Sequence, residues 1–253
     1  MRTLDPWRLT LKPLHSRPME RRIPAAVLVL AFAASASAAP APAAKAPAVL
    51  QGSAFQGAAP GPATGLLSKV QALYQRTTDF KASFKQVVRT RSPKRTFTRS
   101  GTVWFQRPNR MRWDYQVPDK VHYVSDGEVM WSYDVEEGVA YRLSVKDSEL
   151  YQALGFLTGT TRLTEAFEGV EQAPTASGLV PILLTPRQPS SSYQSITLFV
   201  DPATGDTRET EVLDPLGNVS HVWFEDPSYG KLPASGFVFT VPDGVRVQDV
   251  NPR

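Results

Sequence analysis

The sequence predicts a mainly β protein of the α+β class, built on one large, curved, antiparallel sheet of about eleven strands. Three observations lead to this prediction. From Phe80 to Leu143, apolar and polar side chains alternate, and short turns rich in Gly, Pro and Asp join the runs. Helical spacing occurs in two stretches that stand apart from the runs of strands. The chain has 253 residues, of which 42% are hydrophobic, and this is enough for a substantial core.

The first helix is predicted from Thr64 to Thr77, where apolar residues recur on one helical face. Six strands then follow in meander order, with a turn at 92–94 and a two-residue hairpin at Asp126-Gly127. Their apolar faces contain Phe80 to Val88, Phe97 to Phe105, Met111 to Tyr115, Val121 to Ser125, Val129 to Tyr133, and Val139 to Leu143.

Two short helices are predicted between Asp147 and Val170, where the period of the apolar residues reverts to that of a helix. Further strands are predicted at 179–185, 193–200, 208–213, 219–225 and 237–241. A sheet of this size curls because the twist of its strands accumulates. We therefore expect the amphipathic helices to cover its concave apolar face.

Arg107 is the unusual residue of this pattern, because it continues the apolar face formed by Val103 and Phe105. A guanidinium group on such a face costs free energy unless it is hydrogen-bonded or hydrated. Arg107 therefore marks the mouth of an apolar cavity, or it is a cation at a strand end that reaches water.

The N-terminal segment predicts export. Arg21 and Arg22 precede an apolar run at 23–34, and small residues with a cleavage pattern at 36–38 follow it. This arrangement is typical of a signal peptide over residues 1–38, translated from Met1 or from Met19, and a retained anchor is the alternative. An Ala/Pro-rich linker is predicted over 39–63 and the folded domain over 64–253.

Composition excludes several functions. The net charge of +4 arises in residues 1–38, which hold six basic and two acidic side chains, so the remainder holds 22 of each. We therefore expect no nucleic-acid partner. Cysteine is absent, and the three histidines lack the spacing of metal ligands. No nucleophile elbow or phosphate-binding loop is present in the sequence, so we expect neither an enzyme nor a cofactor.

Four segments give the sequence a resemblance to the LolA family of periplasmic outer-membrane lipoprotein carriers. They are TDFKASFKQVV, GTVWFQRPNRMRWDY, VSDGEVMWSYD and FVFTVPDGV, in family order, within a match over 64–250. The resemblance implies an incomplete β-barrel covered by an α-helical lid. It also implies a chaperone that accepts acylated lipoproteins from an inner-membrane ABC transporter. Such a chaperone shields the acyl chains across the periplasm and transfers the lipoproteins to the outer membrane, either directly or through an acceptor there. The sequence itself gives no sign of an obligate oligomer, so we expect a monomer.

The resemblance also implies roles for residues. Arg107 would hydrogen-bond carbonyl groups of the lid and hold the empty cavity closed. Met111 would contact the transporter at the rim, where enterobacterial members have Phe. The residues predicted to contact acyl chains lie on the strands around Arg107: Val103, Phe105, Met111, Trp113, Tyr115, Val129 and Trp131.

Two other functions remain open at this stage. One is a periplasmic sensor of lipids or lipoproteins, although such sensors usually carry a further domain. The other is a carrier of a different amphiphile, such as a free lipid or a glycolipid.

Overall fold

The structure, a computed structural model, describes residues 61–62, 65–145 and 162–250. The predicted signal peptide, most of the predicted linker, and part of the predicted lid helices, residues 146–161, lie outside these residues. No helix in the described ranges has both the length and the apolar character needed to cross a membrane.

One sheet of thirteen strands forms the body of the protein. The strands are β1 Gly61–Pro62, β2 Asp79–Thr90, β3 Arg95–Gln106, β4 Arg110–Val117, β5 Val121–Ser125, β6 Val129–Asp134, β7 Val139–Ser144, β8 Phe167–Glu171, β9 Val180–Pro186, β10 Ser195–Val200, β11 Thr207–Leu213, β12 Val219–Ser228 and β13 Arg246–Asp249. The helices are α1 Gly65–Arg76, α2 Leu163–Ala166 and a 3₁₀ helix Ala234–Phe237.

The strand order is β1-β8-β9-β10-β11-β12-β2-β3-β4-β5-β6-β7-β13. Every neighbouring pair is antiparallel except β13 with β7, which is parallel. The sheet is not closed, because β1 and β13 are its two edges. The prediction of a large antiparallel sheet is thus confirmed.

The sheet curves around α1. Met111 and Met130, on β4 and β6, belong to the same buried cluster as Ile182 and Leu198, on β9 and β10. These two pairs of strands lie on opposite sides of β2 in the strand order. In a flat sheet these strands would lie too far apart to share a cluster. The parts of the sheet on either side of β2 must therefore bend toward each other. The cluster also contains Leu67 and Val70 of α1, Leu143, Val145, Leu163, Phe167, Leu184, Tyr193, Ile196, Val200 and Val212.

Helix α1 is held inside this curve by its apolar face and by polar contacts, among them those of Gln71 and Tyr74. Leu67, Val70 and Leu73 are at most 8% exposed, and burial of each contributes roughly 1.5–3 kcal/mol. The side-chain Oε1 of Gln71 accepts a hydrogen bond from the backbone N–H of Leu163 at 2.6 Å, which ties α1 to the start of α2. The Tyr74 hydroxyl donates to Thr207 Oγ1 at 2.8 Å on β11.

Two predicted elements need correction, and two strands were missed. The helix predicted to continue to Val170 ends at Ala166, and Phe167–Glu171 forms β8, which pairs with β9. The strand predicted at 237–241 is absent, since that stretch begins at the end of the 3₁₀ helix and continues without regular structure. Two strands were not predicted: β1, within the predicted linker, and β13, near the C-terminus.

Residues 232–241, called here the C-terminal strap, pack across the outer face of β3 to β6. The ring of Phe237 lies 6.3 Å from that of Trp104, and the carbonyl of Gly236 accepts a hydrogen bond from Arg112 Nη1 at 3.1 Å. The ring of Phe239 lies 5.3 Å from that of Trp131. The strap therefore covers apolar side chains that this face of the sheet would otherwise expose.

Candidate functional site: an aromatic inner face

The candidate site is the inner face of β2 to β5 together with β12. Its side chains form one group, called here the aromatic cluster, which is distinct from the core around α1 except that Phe105 packs against both. The buried members are Ala82, Phe84, Val103, Trp113, Tyr115, Tyr123 and Val222, and the partly buried members are Phe80, Phe105, Val121 and Phe224. Strand alternation and cross-strand register place these residues on one face.

Trp113 lies at the centre of the aromatic cluster. Its ring is 5.0 Å from Phe84, 6.2 Å from Phe105, 6.4 Å from Tyr115 and 6.5 Å from Phe224, measured between centroids. Most of these contacts are edge-to-face, the arrangement that aromatic quadrupoles favour. Trp113 is only 8% exposed, and no described residue accepts a hydrogen bond from its buried Nε1–H.

Gly101 makes room for this arrangement. It lies opposite Phe84 on β2 and Tyr115 on β4. A Cβ atom at this position would lie 1.9 Å from the carbonyl oxygen of Asp114 and 3.0 Å from Phe84 Cε1. Glycine therefore allows β3, β4 and the ring of Phe84 to approach closely.

Polar side chains close one end of the aromatic cluster. Gln86 is 1% exposed, donates to Ser220 Oγ at 2.8 Å and accepts from the Tyr115 hydroxyl at 3.0 Å. Burial raises the pKa of Tyr115 and of Tyr123, so both phenols stay neutral in the physiological range. Apolar ligand atoms would meet a hydrogen-bonded polar layer at this end.

The opposite end of the aromatic cluster is partly open. Phe80, Phe105 and Phe224 are each partly exposed there, and Tyr229, whose ring is 5.6 Å from Phe80, is 45% exposed. Exposed aromatic groups next to a buried aromatic centre are typical of a surface that receives apolar ligands.

Arg107 lies at this open end, in the turn between β3 and β4. Its backbone N–H donates to the carbonyl of Thr78 at 2.8 Å. The guanidinium is partly buried, and burial lowers its pKa. Its Nη2 is buried, and none of the residues that the structure describes accepts a hydrogen bond from it. Both alternatives that the sequence left open, the mouth of an apolar region and a strand-end cation that reaches water, are compatible with this partial burial.

The predicted contact residues separate into three groups. Val103, Phe105, Trp113 and Tyr115 meet in the aromatic cluster. Met111 is 4% exposed and belongs to the core around α1.

Val129 and Trp131 lie on the outer face, so the prediction that they face the interior is wrong. The hairpin between β5 and β6 pairs Val124 with Trp131 and Ser125 with Met130. Because it pairs odd-numbered with even-numbered residues, Met130 takes the inner position and Trp131 the outer one. Trp131 packs there against Phe239 of the strap.

Sequence reasoning did not select Phe80, Phe84 and Phe224 as site residues. The alternation in β2 already placed Phe80 and Phe84 on the same face as Ala82. Phe224 was harder to assign, because Trp223 and Phe224 are adjacent aromatic residues and either one fits an apolar face.

The histidines of the folded region have structural partners on the outer face. His122 lies 2.6 Å from a carboxylate oxygen of Asp114, which also accepts from Arg112. His221 lies between Glu209 and Glu211, with its ring stacked 4.0 Å from that of Trp223. Across the described ranges, no group of three or more His, Cys, Asp and Glu residues is placed to hold a metal ion.

Fold and site together define a protein built on an open, curved sheet with an aromatic inner face and a helix packed in its curve. The chain belongs to the LolA family: the family's sequence model, "Outer membrane lipoprotein carrier protein LolA", matches residues 75–240.

Relatives extend this match over most of the folded region. An outer-membrane lipoprotein carrier protein of Bordetella pertussis (strain Tohama I) is 31% identical over 75% of this chain and 89% of its own length. One from Dechloromonas aromatica (strain RCB) is 29% identical over 72% of this chain and 87% of its own length. The crystal structure of a LolA superfamily protein from Nitrosomonas europaea is similar with a TM-score of 0.41 and 13% identity, over 71% of this chain and 98% of that one.

Proposed function

We propose that this protein is a periplasmic carrier of acylated lipoproteins that shields their acyl chains against the aromatic cluster. In this proposal it is not an enzyme: it receives cargo from an ABC transporter in the inner membrane and delivers it to the outer membrane. The names of the relatives, outer-membrane lipoprotein carrier proteins, support this class of cargo. The structural observation that carries the proposal is an aromatic cluster that is closed by polar groups at one end and partly exposed at the other.

The energetics of acyl chains require such a carrier. Burial of each methylene group contributes about 0.8 kcal/mol, so long chains do not remain free in water. The carrier must also release them. Phe84 and Val103 are already buried at 2% and 0% exposure, so an entering chain replaces contacts that the protein makes with itself. The net free energy of exchange is then small, which permits transfer in either direction.

Arg107 supplies the closing contact in this proposal. Its Nη2 is a buried donor at the open end of the aromatic cluster, and such a donor is costly without an acceptor. We infer that backbone carbonyl groups of the predicted lid helices are its acceptors in the empty state. Chain entry would displace the lid and break these bonds.

The transporter contact is assigned to the turn at 107–111. Met111 is buried, so a partner would first meet Pro108, the exposed residue of this turn. A photo-reactive residue at position 108 should crosslink to the transporter's periplasmic part. The same probe at position 216, at the far end of the sheet, is the control. Crosslinks from position 216 alone would refute the assignment.

Two measurements test the carrier function. Mass spectrometry of material that co-purifies from the periplasm should find acylated peptides, whereas free lipids or glycolipids would favour the carrier of another amphiphile.

Release of a labelled lipoprotein from inner-membrane vesicles should fall for Trp113→Ala and persist for Trp104→Ala. Trp104 is the matched control because its Nε1 is also buried without an acceptor among the described residues, but under the strap on the outer face. Equal loss in both variants would contradict the proposal.

A further inference from the structure

The distribution of charge within the folded region is strongly asymmetric. From Phe80 to Trp113 the chain contains ten Lys and Arg residues and no Asp or Glu. Acidic residues of the folded region lie outside this stretch, so it forms a cationic strip across the middle of the sheet. A neutral total charge for residues 39–253 conceals this local excess.

The cations concentrate where β2 turns into β3. Arg89, Arg91, Lys94 and Arg95, called here the basic tip, are all exposed and lie within seven consecutive residues. The ladder between the two strands continues to its last pair, Thr90 with Arg95, so the tip is a rigid hairpin end. None of the ion pairs among the described side chains involves these four residues.

An exposed leucine lies beside the basic tip. Leu216, in the turn between β11 and β12, is 77% exposed, the largest exposure of any large apolar side chain that the structure describes. The next residue, Gly217, has a φ of +81°, and a Cβ atom there would lie 2.8 Å from Arg91 Cδ. The Arg91 N–H also donates to Asn218 Oδ1 at 3.0 Å. These contacts place the turn that carries Leu216 beside the basic tip.

The nearby acidic groups have other partners. Asp214 is 8% exposed, and its carboxylate accepts hydrogen bonds from the backbone of Leu216 and from Asn218, which shapes the turn. Glu211 contacts His221, and Arg89 is close enough to help lower its pKa. Positive charge therefore dominates the surface that the tip presents.

We propose that the basic tip and Leu216 bind the surface of an anionic phospholipid membrane. Clustered Lys and Arg residues attract anionic headgroups, and an exposed leucine enters the interface between headgroups and acyl chains. Charge alone would suit any polyanion, but the fixed leucine beside it favours a lipid surface. Binding through few groups is weak, reversible and sensitive to salt.

This site lies far from Arg107. Strand β3 runs from Arg95 at the basic tip to Gln106 beside Arg107, so the two ends are separated by about 36 Å. The basic tip can therefore touch a membrane while the open end of the aromatic cluster remains accessible. The inference does not depend on the proposed cargo, because it concerns a surface outside the aromatic cluster.

Vesicle flotation tests the proposal with protein recovered from the periplasm, whose N-terminus is verified by mass spectrometry. Vesicles contain phosphatidylcholine alone or phosphatidylcholine with phosphatidylglycerol. The protein should bind the anionic vesicles, and added salt should weaken binding. A variant with Arg91→Gln, Lys94→Gln and Arg95→Gln should lose about a hundredfold in partition coefficient, at roughly fivefold for each cation. Leu216→Ser should weaken binding without changing its salt dependence.

The matched control removes three exposed cations at the opposite end of the sheet from the tip, in Arg76→Gln, Lys81→Gln and Lys231→Gln. It has the same net charge as the tip variant and should bind like the unmodified protein. Equal loss in both triple variants, or equal binding to neutral and anionic vesicles, would overturn the proposal. Binding to soluble polyphosphate without binding to anionic vesicles would also overturn the proposal, because the partner of the basic tip would then be a soluble polyanion and not a membrane.

Discussion

Substitution of Gly101 by alanine tests the close packing beneath the aromatic cluster. The added Cβ would lie 1.9 Å from the Asp114 carbonyl oxygen, whereas real Cβ atoms essentially never approach within 3.0 Å. Strands β3 and β4 must therefore part by more than an ångström, and Phe84 must move as well. Overpacking of this kind costs about 1–3 kcal/mol, and weakened ladder hydrogen bonds add about 1 kcal/mol.

Urea unfolding of the purified protein measures this loss. Gly101→Ala should lower the free energy of unfolding by about 3 kcal/mol, through a lower transition midpoint. Gly65→Ala is the matched control, because no atom lies within 4 Å of a Cβ at that position, and alanine suits a helix. Its midpoint should be unchanged or slightly higher. Coincident transitions for Gly101→Ala and the unmodified protein would refute the packing described here.

Three other predictions concern Arg107 and the charged groups of the outer face. Arg107→Leu should still accept a lipoprotein but pass less of it to an acceptor membrane, because closure is weakened, and a transfer assay measures this. Asp114→Asn should destabilise the fold by about 1–3 kcal/mol in urea unfolding, since it leaves a partly buried Arg112 without its 2.6 Å carboxylate partner. Burial lowers the pKa of His221, but hydrogen bonds to Glu211 and Glu209 outweigh it and raise the pKa overall. The stability from His221 should therefore be complete below pH 6.5, the ordinary histidine value, and should disappear as pH rises through the raised pKa.

Each of these predictions has a contradicting result. Unchanged transfer by Arg107→Leu would count against the closing role of Arg107. An Asp114→Asn variant as stable as the unmodified protein would show that Arg112 finds another partner at no cost. For His221, urea midpoints from pH 6 to pH 9 are compared with those of His221→Gln; parallel curves would contradict a raised pKa.

Strand alternation predicted most of the sheet, because one face of these strands is buried and the other is polar. In β2, Ala82, Phe84 and Val88 are buried, as the alternation of apolar and polar residues predicts. The same alternation predicts the burial of Val103 in β3 and Trp113 in β4. The alternation does not reveal how two strands are related across a turn. Val129 and Trp131 were assigned to the wrong face for this reason.

The errors near the C-terminus have a different physical origin. Phe237 and Phe239 have the spacing of a strand, but they serve as anchors of a strap on the aromatic residues of β3 to β6. Strand β13 gave no signal because all four of its residues are exposed. Its pairing with β7 depends on backbone hydrogen bonds at a sheet edge, which composition does not encode.

The surface formed by Leu216 and the basic tip could not be predicted from the net charge of the chain. The sequence places Arg91 and Leu216 more than a hundred residues apart. Pairing of β12 with β2 brings them together, and Gly217 is the residue that permits the contact. Such a surface can be recognised only after the strand order is known.

Quenching of tryptophan fluorescence by a diacylated lipopeptide with brominated chains tests the central claim most directly. Variants retain one tryptophan, either Trp113 on the inner face or Trp131 on the outer face, with the others replaced by Phe. Bromine quenches at short range, so the proposed function predicts quenching of Trp113 and not of Trp131, with an unbrominated lipopeptide as control. Quenching of Trp131 with Trp113 unaffected, while the lipopeptide is bound, would contradict an acyl-chain site on the inner face.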